Sequence, residues 1–254
     1  MKGVLLSGGR GQRLGSFTTT VTNKHLAPVY SKDGATPMID YPIDTLKKMG
    51  ITDILVITSR EHCGDIVEHL GDGYERGLNF TYKIQEMNDP ERPIGIASAL
   101  KLARDFTGDD NFVVILGDNY FEWSDHFKEC IDTMNKKSDL KCGLFFKEVI
   151  NWQDYGIAKF GDKYENGYTP IVDIIEKPKE YISNYAVTGM YVYTSDVYQY
   201  LDKLEPSKRG ELEISDINRN YAQKDLTWST TIDTFWGDMG TVATMLKVQE
   251  YLNK

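Results

Sequence analysis

No apolar run in this chain approaches the ~20 residues of a membrane-spanning helix. Near the start, Val4-Leu5-Leu6 is too short for the apolar core of a secretory signal. The cytoplasm is therefore the expected compartment, with no membrane partner. Cysteine is scarce. Cys63, Cys130 and Cys142 are widely spaced and odd in number, which argues against a disulfide framework and a paired-cysteine zinc site. Positive charge is in deficit: Lys and Arg total 29 against 38 Asp and Glu, a net charge of −9. General nucleic-acid binding needs a phosphate-neutralising basic surface, so no nucleic-acid partner is expected. Any highly anionic ligand has to be held locally, by a few cations and a metal. Of the four histidines, His62, His69 and His126 fit no metal-ligand spacing and read as structural or surface residues. Repeats, low-complexity tracts and linkers are missing too. The 254 residues thus predict one compact domain with a substantial core.

What is present alternates. Residues 3–7, 54–58, 80–84 and 112–116 read as strands. Between them Ile43, Leu46 and Lys47 suit a helix ending at Gly50, and Ile96, Ala99, Leu100 and Ala103 mark one apolar helical face. This alternation predicts an α/β fold, a Rossmann-like, mostly parallel mixed sheet with helices on both faces. Residues 142–147, 171–176, 186–193 and 228–235 add strands in the second half. They predict antiparallel additions or a strand-rich substrate part. An amphipathic helix carrying Val242, Met245, Leu246, Gln249 and Leu252 closes the chain. Residues 31–36 and 88–93 read as loops.

Four motifs each follow or close a predicted strand. The first is Gly8-Gly9-Arg10-Gly11-Gln12-Arg13-Leu14. Glycines let backbone N–H groups face phosphate oxygens, the following helix start favours anions, and Arg13 offers a multi-donor cation. An ordinary turn is the alternative. The spacing matches neither the dinucleotide GxGxxG fingerprint nor the P-loop. The second is Gly117-Asp118-Asn119, a carboxylate placed to ligate a hard cation such as Mg²⁺, or an Asp-Asn turn. In the third, Trp236-Gly237-Asp238-Met239-Gly240-Thr241, the carboxylate suits a metal or the start of a helix. The fourth, Glu176-Lys177-Pro178, offers a hydroxyl acceptor and a phosphate cation, or a surface ion pair. Four such motifs together favour a phosphate-and-metal site.

These blocks stand in order with Val21-Thr22-Asn23-Lys24-His25-Leu26-Ala27-Pro28-Val29, Tyr155-Gly156, Asn184-Tyr185-Ala186-Val187-Thr188-Gly189 and the run 209–218, Arg209-Gly210-Glu211-Leu212-Glu213-Ile214-Ser215-Asp216-Ile217-Asn218. In that order the chain resembles the sugar nucleotidyltransferases, nearly end to end. Within them it is most similar to the glucose-1-phosphate thymidylyltransferases, enzymes of nucleotide-sugar and polysaccharide biosynthesis. The resemblance implies transfer of a nucleotidyl group from a nucleoside triphosphate to a sugar 1-phosphate, with release of pyrophosphate. Residues 1 to about 120 then form the nucleotide part and the rest the sugar-phosphate part of the single domain. By position, Leu6, Gly8, Gly9 and Gly11 hold the triphosphate, and Arg13 lies on the departing pyrophosphate. Lys24 sits near the α-phosphate. Gln85 pairs with a pyrimidine edge, completed by backbone near Gly95. Asp118 and Asp238 hold Mg²⁺. Lys177 and Arg209 grip the sugar's phosphate, and Asn119, Gly156, Glu176 and Val187 line the sugar side. Tyr191 closes that pocket or belongs to the core. Arg13, Lys24, Asp118 and Lys177 are the expected catalytic residues. No general base is needed, because a phosphate monoester is already an anionic nucleophile.

Departures from the family leave specificity open. The loops 31–36 and 87–94 are longer than usual, Ser98 stands where thymidylyltransferases commonly carry glutamine, and His25 replaces another glutamine. The donor can be dTTP, UTP or CTP, with dTTP and glucose 1-phosphate favoured. The chain ends one helix after Asp238, so no C-terminal feedback site is expected, and a monomer or homodimer is. Two other classes are weighed. A GT-A glycosyltransferase normally carries Asp-x-Asp, which Gly117-Asp118-Asn119-Tyr120 lacks. A non-catalytic relative would have lost Arg13, Lys24, Asp118 or Asp238, and all four are present.

Overall fold

A computed structural model describes residues 1–9, 14–15, 23–86, 93–136, 139–162 and 169–254. The chain builds two compact units, one from residues 1–92, 113–123 and 234–254, the other from 93–112 and 124–233.

In the first unit, β1 (Lys2–Ser7), β4 (Asp53–Ser59), β5 (Asn79–Gln85) and β6 (Phe112–Leu116) run in the order β6-β1-β4-β5. β1 and β4, and β4 and β5, pair in parallel. Parallel strands are covered on both faces, which is why Val4, Leu5, Leu55, Val56 and Ile57 form a continuous apolar, buried set. Register pairs Ser7 with Thr58 and Ser59 with Gln85, so these strands finish at one edge. The helices α1 (Asp40–Lys48) and α2 (Cys63–Leu70) follow β3 and β4; α1 buries Ile43 and Leu46. The chain turns out of α1 at Gly50, whose φ of +80° favours glycine.

The rest of this unit corrects the sequence reading in two places. Residues 31–36 are mostly not loop. β2 (Pro28–Ser31) and β3 (Gly34–Pro37) form an antiparallel hairpin closed by Lys32 and Asp33. Polar, glycine-containing sequence is equally compatible with a tight hairpin and a loop. The strand expected over 228–235 breaks after Thr231. A separate strand, β13 (Trp236–Asp238), pairs antiparallel with β7 (Asn119–Phe121), where an Asp-Asn turn was the alternative. The closing helix α8 (Val242–Leu252) is as expected. Thr241 and Thr244 cap it reciprocally, and Met245 and Val248 pack on Leu14, Ala27, Val29, Met38 and Met239.

The second unit carries α3 (Ile96–Lys101), α4 (Arg104–Thr107), α5 (Asp125–Lys136), α6 (Val197–Leu201) and α7 (Ile214–Gln223). The apolar face of 96–103 does not make one helix. Leu102 and Ala103 donate to Ala99 and Leu100, three residues back, and this tightening separates α3 from α4. The strands are β8 (Cys142–Glu148), β9 (Gly156–Phe160), β10 (Ile171–Glu176), β11 (Tyr185–Tyr193) and β12 (Thr227–Thr231). β10-β9-β11-β8 pair antiparallel, and β12 joins β8 in parallel. The α/β class and the antiparallel additions expected from sequence are both present. No helix among the described residues is long and apolar enough to cross a membrane.

Candidate active site

In the first unit, β1 delivers Gly8 and Gly9 to the edge where β5 ends in Gln85. A methyl on Gly8 would lie 3.0 Å from Gln85 Oε1, and one on Gly9 3.3 Å from Lys24 Nζ. The glycine pair is therefore pressed against two of the polar side chains expected at the site. Lys24 opens a single 3₁₀ turn, Lys24–Leu26, whose start is fixed by His25 N–H donating to Asn23 Oδ1 at 2.9 Å. Its Nζ donates to Asp118 Oδ2 at 2.7 Å. Asp118 follows β6, where Gly117 N–H donates to Leu6 O at 2.8 Å. Asn119 Nδ2 donates to Asp118 Oδ1 at 2.9 Å, and Trp236 Nε1 donates to Asn119 Oδ1 at 2.8 Å. Asn119 faces Asp238 in the β7–β13 pair, and Met239 N–H donates to Asp118 O at 2.7 Å. Leu6, Gly8, Gly9, Lys24, Gln85, Asp118, Asn119 and Asp238 thus belong to one locality. Gly11 and Arg13 lie outside the described residues.

Burial, the largest single influence, would raise the Asp118 carboxyl; the Lys24 charge, with the hydrogen bonds from Lys24 and Asn119, acts against it, and the balance leaves the carboxyl well below the usual carboxylate range. His25 is lowered too, but here burial acts in the same direction as the Lys24 charge. Burial, and next the Lys24 charge, lower it to about 3, so the ring is neutral near pH 7. Its Nδ1 lies 3.1 Å from Asn23 Oδ1, and its carbon edge fills the space a Gly117 methyl would need, 2.8 Å from Cδ2. The sequence reading treated His25 as a replaced contact; it is a buried wedge beside the Lys24–Asp118 pair. As for a metal, Asp118, one residue before β7, and Asp238, on the strand paired with β7, offer hard oxygen donors. They fit the sparse ligation that Mg²⁺ takes when phosphates supply the remaining oxygens. Among the described residues no group of three His, Cys, Asp or Glu gathers to hold a metal unaided. Asp238 Oδ1 also accepts Gly240 N–H at 2.9 Å just before α8, so this carboxylate serves the helix start as well.

In the second unit, Gly156 faces Glu176 across the β9–β10 pair, and a methyl there would meet Glu176 Oε2 at 3.1 Å. Burial, and then Glu213, push the Glu176 carboxyl up. Lys177 adopts a left-handed backbone, φ 45°, and its N–H donates to Tyr155 O at 2.9 Å. Arg209 lies on a turn in which its own N–H donates to Ser207 Oγ at 3.2 Å and Gly210, φ +75°, donates to Ser207 O at 2.8 Å. Its guanidinium reaches Glu176 at 3.7 Å, Glu211 at 2.8 Å and Glu213 at 3.4 Å. Gly156, Glu176, Lys177 and Arg209 are therefore neighbours. Val187 is on β11, where Ala186 pairs with Ile157 of β9. Tyr191 is buried and stacks on Tyr193, with ring centroids 6.0 Å apart. Gly95, φ +114°, has no room for a methyl, which would lie 2.6 Å from Leu212 O. It packs on the segment between Glu211 and Glu213, two residues that the sequence reading left without a role. Their period-two spacing from Arg209 is the signal that could have found them.

The remaining histidines behave as expected. His69 Nε2 lies 2.9 Å from Asp40, which Arg76 also pairs, while His62 and His126 lie 3.8 and 3.1 Å from Asp65 and Glu129.

The family model for nucleotidyl transferases matches residues 2–254. The low-salt glycan biosynthesis nucleotidyltransferase Agl11 of Haloferax volcanii is 37% identical over 98% of this chain; the chain spans 65% of that protein's length. The glucose-1-phosphate thymidylyltransferase of Neisseria meningitidis is 38% identical over 88% of this chain and 72% of its own. A solved Bacillus anthracis protein, assigned as a glucose-1-phosphate thymidylyltransferase and in complex with a sucrose, superposes with a TM-score of 0.87 at 39% identity. It covers 100% of this chain and 96% of its own. A UDP-glucose pyrophosphorylase at 23% identity shares the fold, with a TM-score of 0.80. By the full-length family match and these identities, the chain belongs to the nucleotidyl transferase family and is similar to its glucose-1-phosphate thymidylyltransferases.

Proposed function

We propose that this protein transfers a nucleotidyl group, thymidylyl by preference, from a nucleoside triphosphate to a sugar 1-phosphate, with glucose 1-phosphate the favoured acceptor. The observation that carries the reading is the largely buried Lys24–Asp118 pair, seated beside Gly8 and Gly9 at the end of β1. A polyphosphate needs N–H groups that can approach it, a cation close to the reacting phosphorus and a carboxylate for a metal. The glycine N–H groups, the Lys24 ammonium and the Asp118 carboxylate of that locality support the reading. A sugar-phosphate oxygen attacks the α-phosphorus, and the bond from that phosphorus to the β,γ-pyrophosphate oxygen breaks in line. Lys24 balances charge at the α-phosphate, and Arg13 is assigned to the departing pyrophosphate. Lys177 and Arg209 hold the attacking phosphate, while Glu176 and the backbone at Gly156 read sugar hydroxyls. Gln85 reads the base edge. Asp118 and Asp238 would hold Mg²⁺, which when bound neutralises phosphate charge as it redistributes.

The test is a ³¹P and mass analysis of the products of dTTP and ¹⁸O-phosphate-labelled glucose 1-phosphate with Mg²⁺. The proposal predicts dTDP-glucose that retains the label and unlabelled pyrophosphate. Label recovered as free phosphate would mean glycosyl transfer instead. A nucleotide sugar formed from UTP or CTP alone would keep the reaction and change the donor.

A further inference from the structure

Arg209 already carries an anion. Nη2 donates to Glu211 Oε2 at 2.8 Å, Nε lies 3.4 Å from Glu213 Oε1, and Nη1 lies 3.7 Å from Glu176 Oε1, beyond a direct hydrogen bond. The carboxylates are not equivalent. Glu213 has a side chain 11% exposed, and its Oε1 also accepts the Ser207 hydroxyl at 2.8 Å. It directly precedes α7, yet its carboxylate makes no capping bond to the helix. Glu211 is 33% exposed, and the Arg209 side chain it pairs with is 39% exposed, so this contact is weak and screened. The Glu211 backbone is held separately: its carbonyl accepts Ser207 N–H at 2.8 Å, and the residue bridges to Ile94. Its side chain can leave without undoing the turn.

We propose that Glu211 is a built-in competitor for the phosphate seat on Arg209, and that Glu213 is the residue that keeps the guanidinium aimed. An arriving phosphate monoester displaces Glu211 from Nη2 while Glu213, itself held by the Ser207 hydroxyl, keeps its ion pair with Nε. The exchange is favourable because a monoester near neutral pH carries close to two charges and several strong acceptor oxygens against the single charge of a carboxylate. Both glutamates act through Arg209 and are positioning residues. The inference rests on the sugar-phosphate reading above and adds how that seat opens and closes. Transfer converts the sugar's phosphate from a dianionic monoester into a phosphate joined by an ester to the sugar and an anhydride to the nucleotide, with one charge. Glu211 then competes on nearly equal terms, which favours release of the nucleotide sugar.

Opposite signs at two neighbouring glutamates make the test. If only local charge mattered, removing either carboxylate would tighten an anion by a similar factor. The competitor arrangement predicts that Glu211→Gln tightens glucose 1-phosphate about three- to fivefold. It predicts that Glu213→Gln, which still accepts from Ser207, weakens it about tenfold. Both are read by calorimetry on the full chain with and without dTTP, and by KM. Glu211→Gln should also strengthen product inhibition by the nucleotide sugar, which a purely structural role would not do. Glu211→Ala serves as a second variant. Equal signs at the two positions, unchanged affinity in both Glu211 variants, or no sugar-phosphate binding by any form would overturn the inference. Transfer activity with the wrong order of affinities removes only the inference. The predicted order of affinities without pyrophosphate release removes the transfer reading and keeps the competitor.

Discussion

Lys24 and Asp118, 94 residues apart in sequence, meet at 2.7 Å with side chains only 10% and 14% exposed. A pair taken so far out of water is costly to leave half made. Lys24→Met strands the Asp118 charge and should cost toward the lower end of roughly 3–5 kcal/mol, since the pair keeps some exposure. Adding Asp118→Asn should return most of that loss, because neither partner is then charged. Urea unfolding of the two single variants and the double closes the cycle. Additive losses would show that the two residues do not depend on each other.

His25 makes stability fall in mild acid. Its folded value, about 3, lies below its unfolded value of 6.5. Between the two the unfolded chain binds the extra proton, so this contribution is present above pH 6.5 and lost as pH falls toward 3. The slope from this group approaches about 1.4 kcal/mol per pH unit. Asp118, held below the usual carboxylate range, adds its own loss only under stronger acid, and between pH 4 and 6 the difference between wild type and a His25 variant reads the imidazole against carboxylates common to both. His25→Gln should flatten the unfolding free energy measured across that window. An unchanged slope in the variant would place the proton elsewhere.

Lys177 pays a backbone cost for its position. A non-glycine residue at φ 45° sits in a region that costs roughly 1–2 kcal/mol, and the following Pro178 narrows the alternatives further. Lys177→Gly relieves that strain at the expense of about 0.5–1 kcal/mol of unfolded-chain entropy. The expected result is a melting temperature raised slightly, with transfer reduced by at least about tenfold through loss of the ammonium. Lys177→Ala should lose activity without the gain in stability. A glycine variant that melts lower than wild type would show that the strain is not there to relieve.

Gly95 tests how the second unit holds Arg209. Its φ of +114° and the 2.6 Å approach of Leu212 O leave an alanine no rotamer to escape through, because the obstacle is backbone. Gly95→Ala should destabilise by about 1–3 kcal/mol. It should also weaken glucose 1-phosphate binding, although sequence position alone assigns Gly95 to the nucleotide. Calorimetry with each ligand separately distinguishes the two outcomes, and a defect confined to dTTP would refute the coupling to residues 211–213.

The parts of the fold legible in the sequence were those with one dominant period. The apolar runs of β1, β4 and β6 allow little except a covered parallel strand, and α8 announces itself by its spacing alone. Short polar elements were not legible. β2, β3 and β7 are only three or four residues long, too short to show a period; β2 and β3 become strands by pairing with each other, and β7 by pairing with the distant β13. At the site, Asp118 was legible as a carboxylate following a strand, with an Asp-Asn turn as its alternative, whereas Lys24, which opens a 3₁₀ turn, was reached only through the family resemblance. His25 and Glu213 were not legible, since their roles depend on what surrounds them: the bare Cα of Gly117 in one case, and the Nε of Arg209 and the Ser207 hydroxyl in the other.

The most direct measurement of the central claim is pyrophosphate release with Mg²⁺, with dTTP, UTP, CTP, GTP and ATP each crossed against several sugar 1-phosphates. The account predicts release only when a nucleotide and a sugar phosphate are both present, greatest for dTTP with glucose 1-phosphate and abolished in Asp118→Asn. Release from a nucleotide alone, or undiminished turnover in that variant, would contradict it.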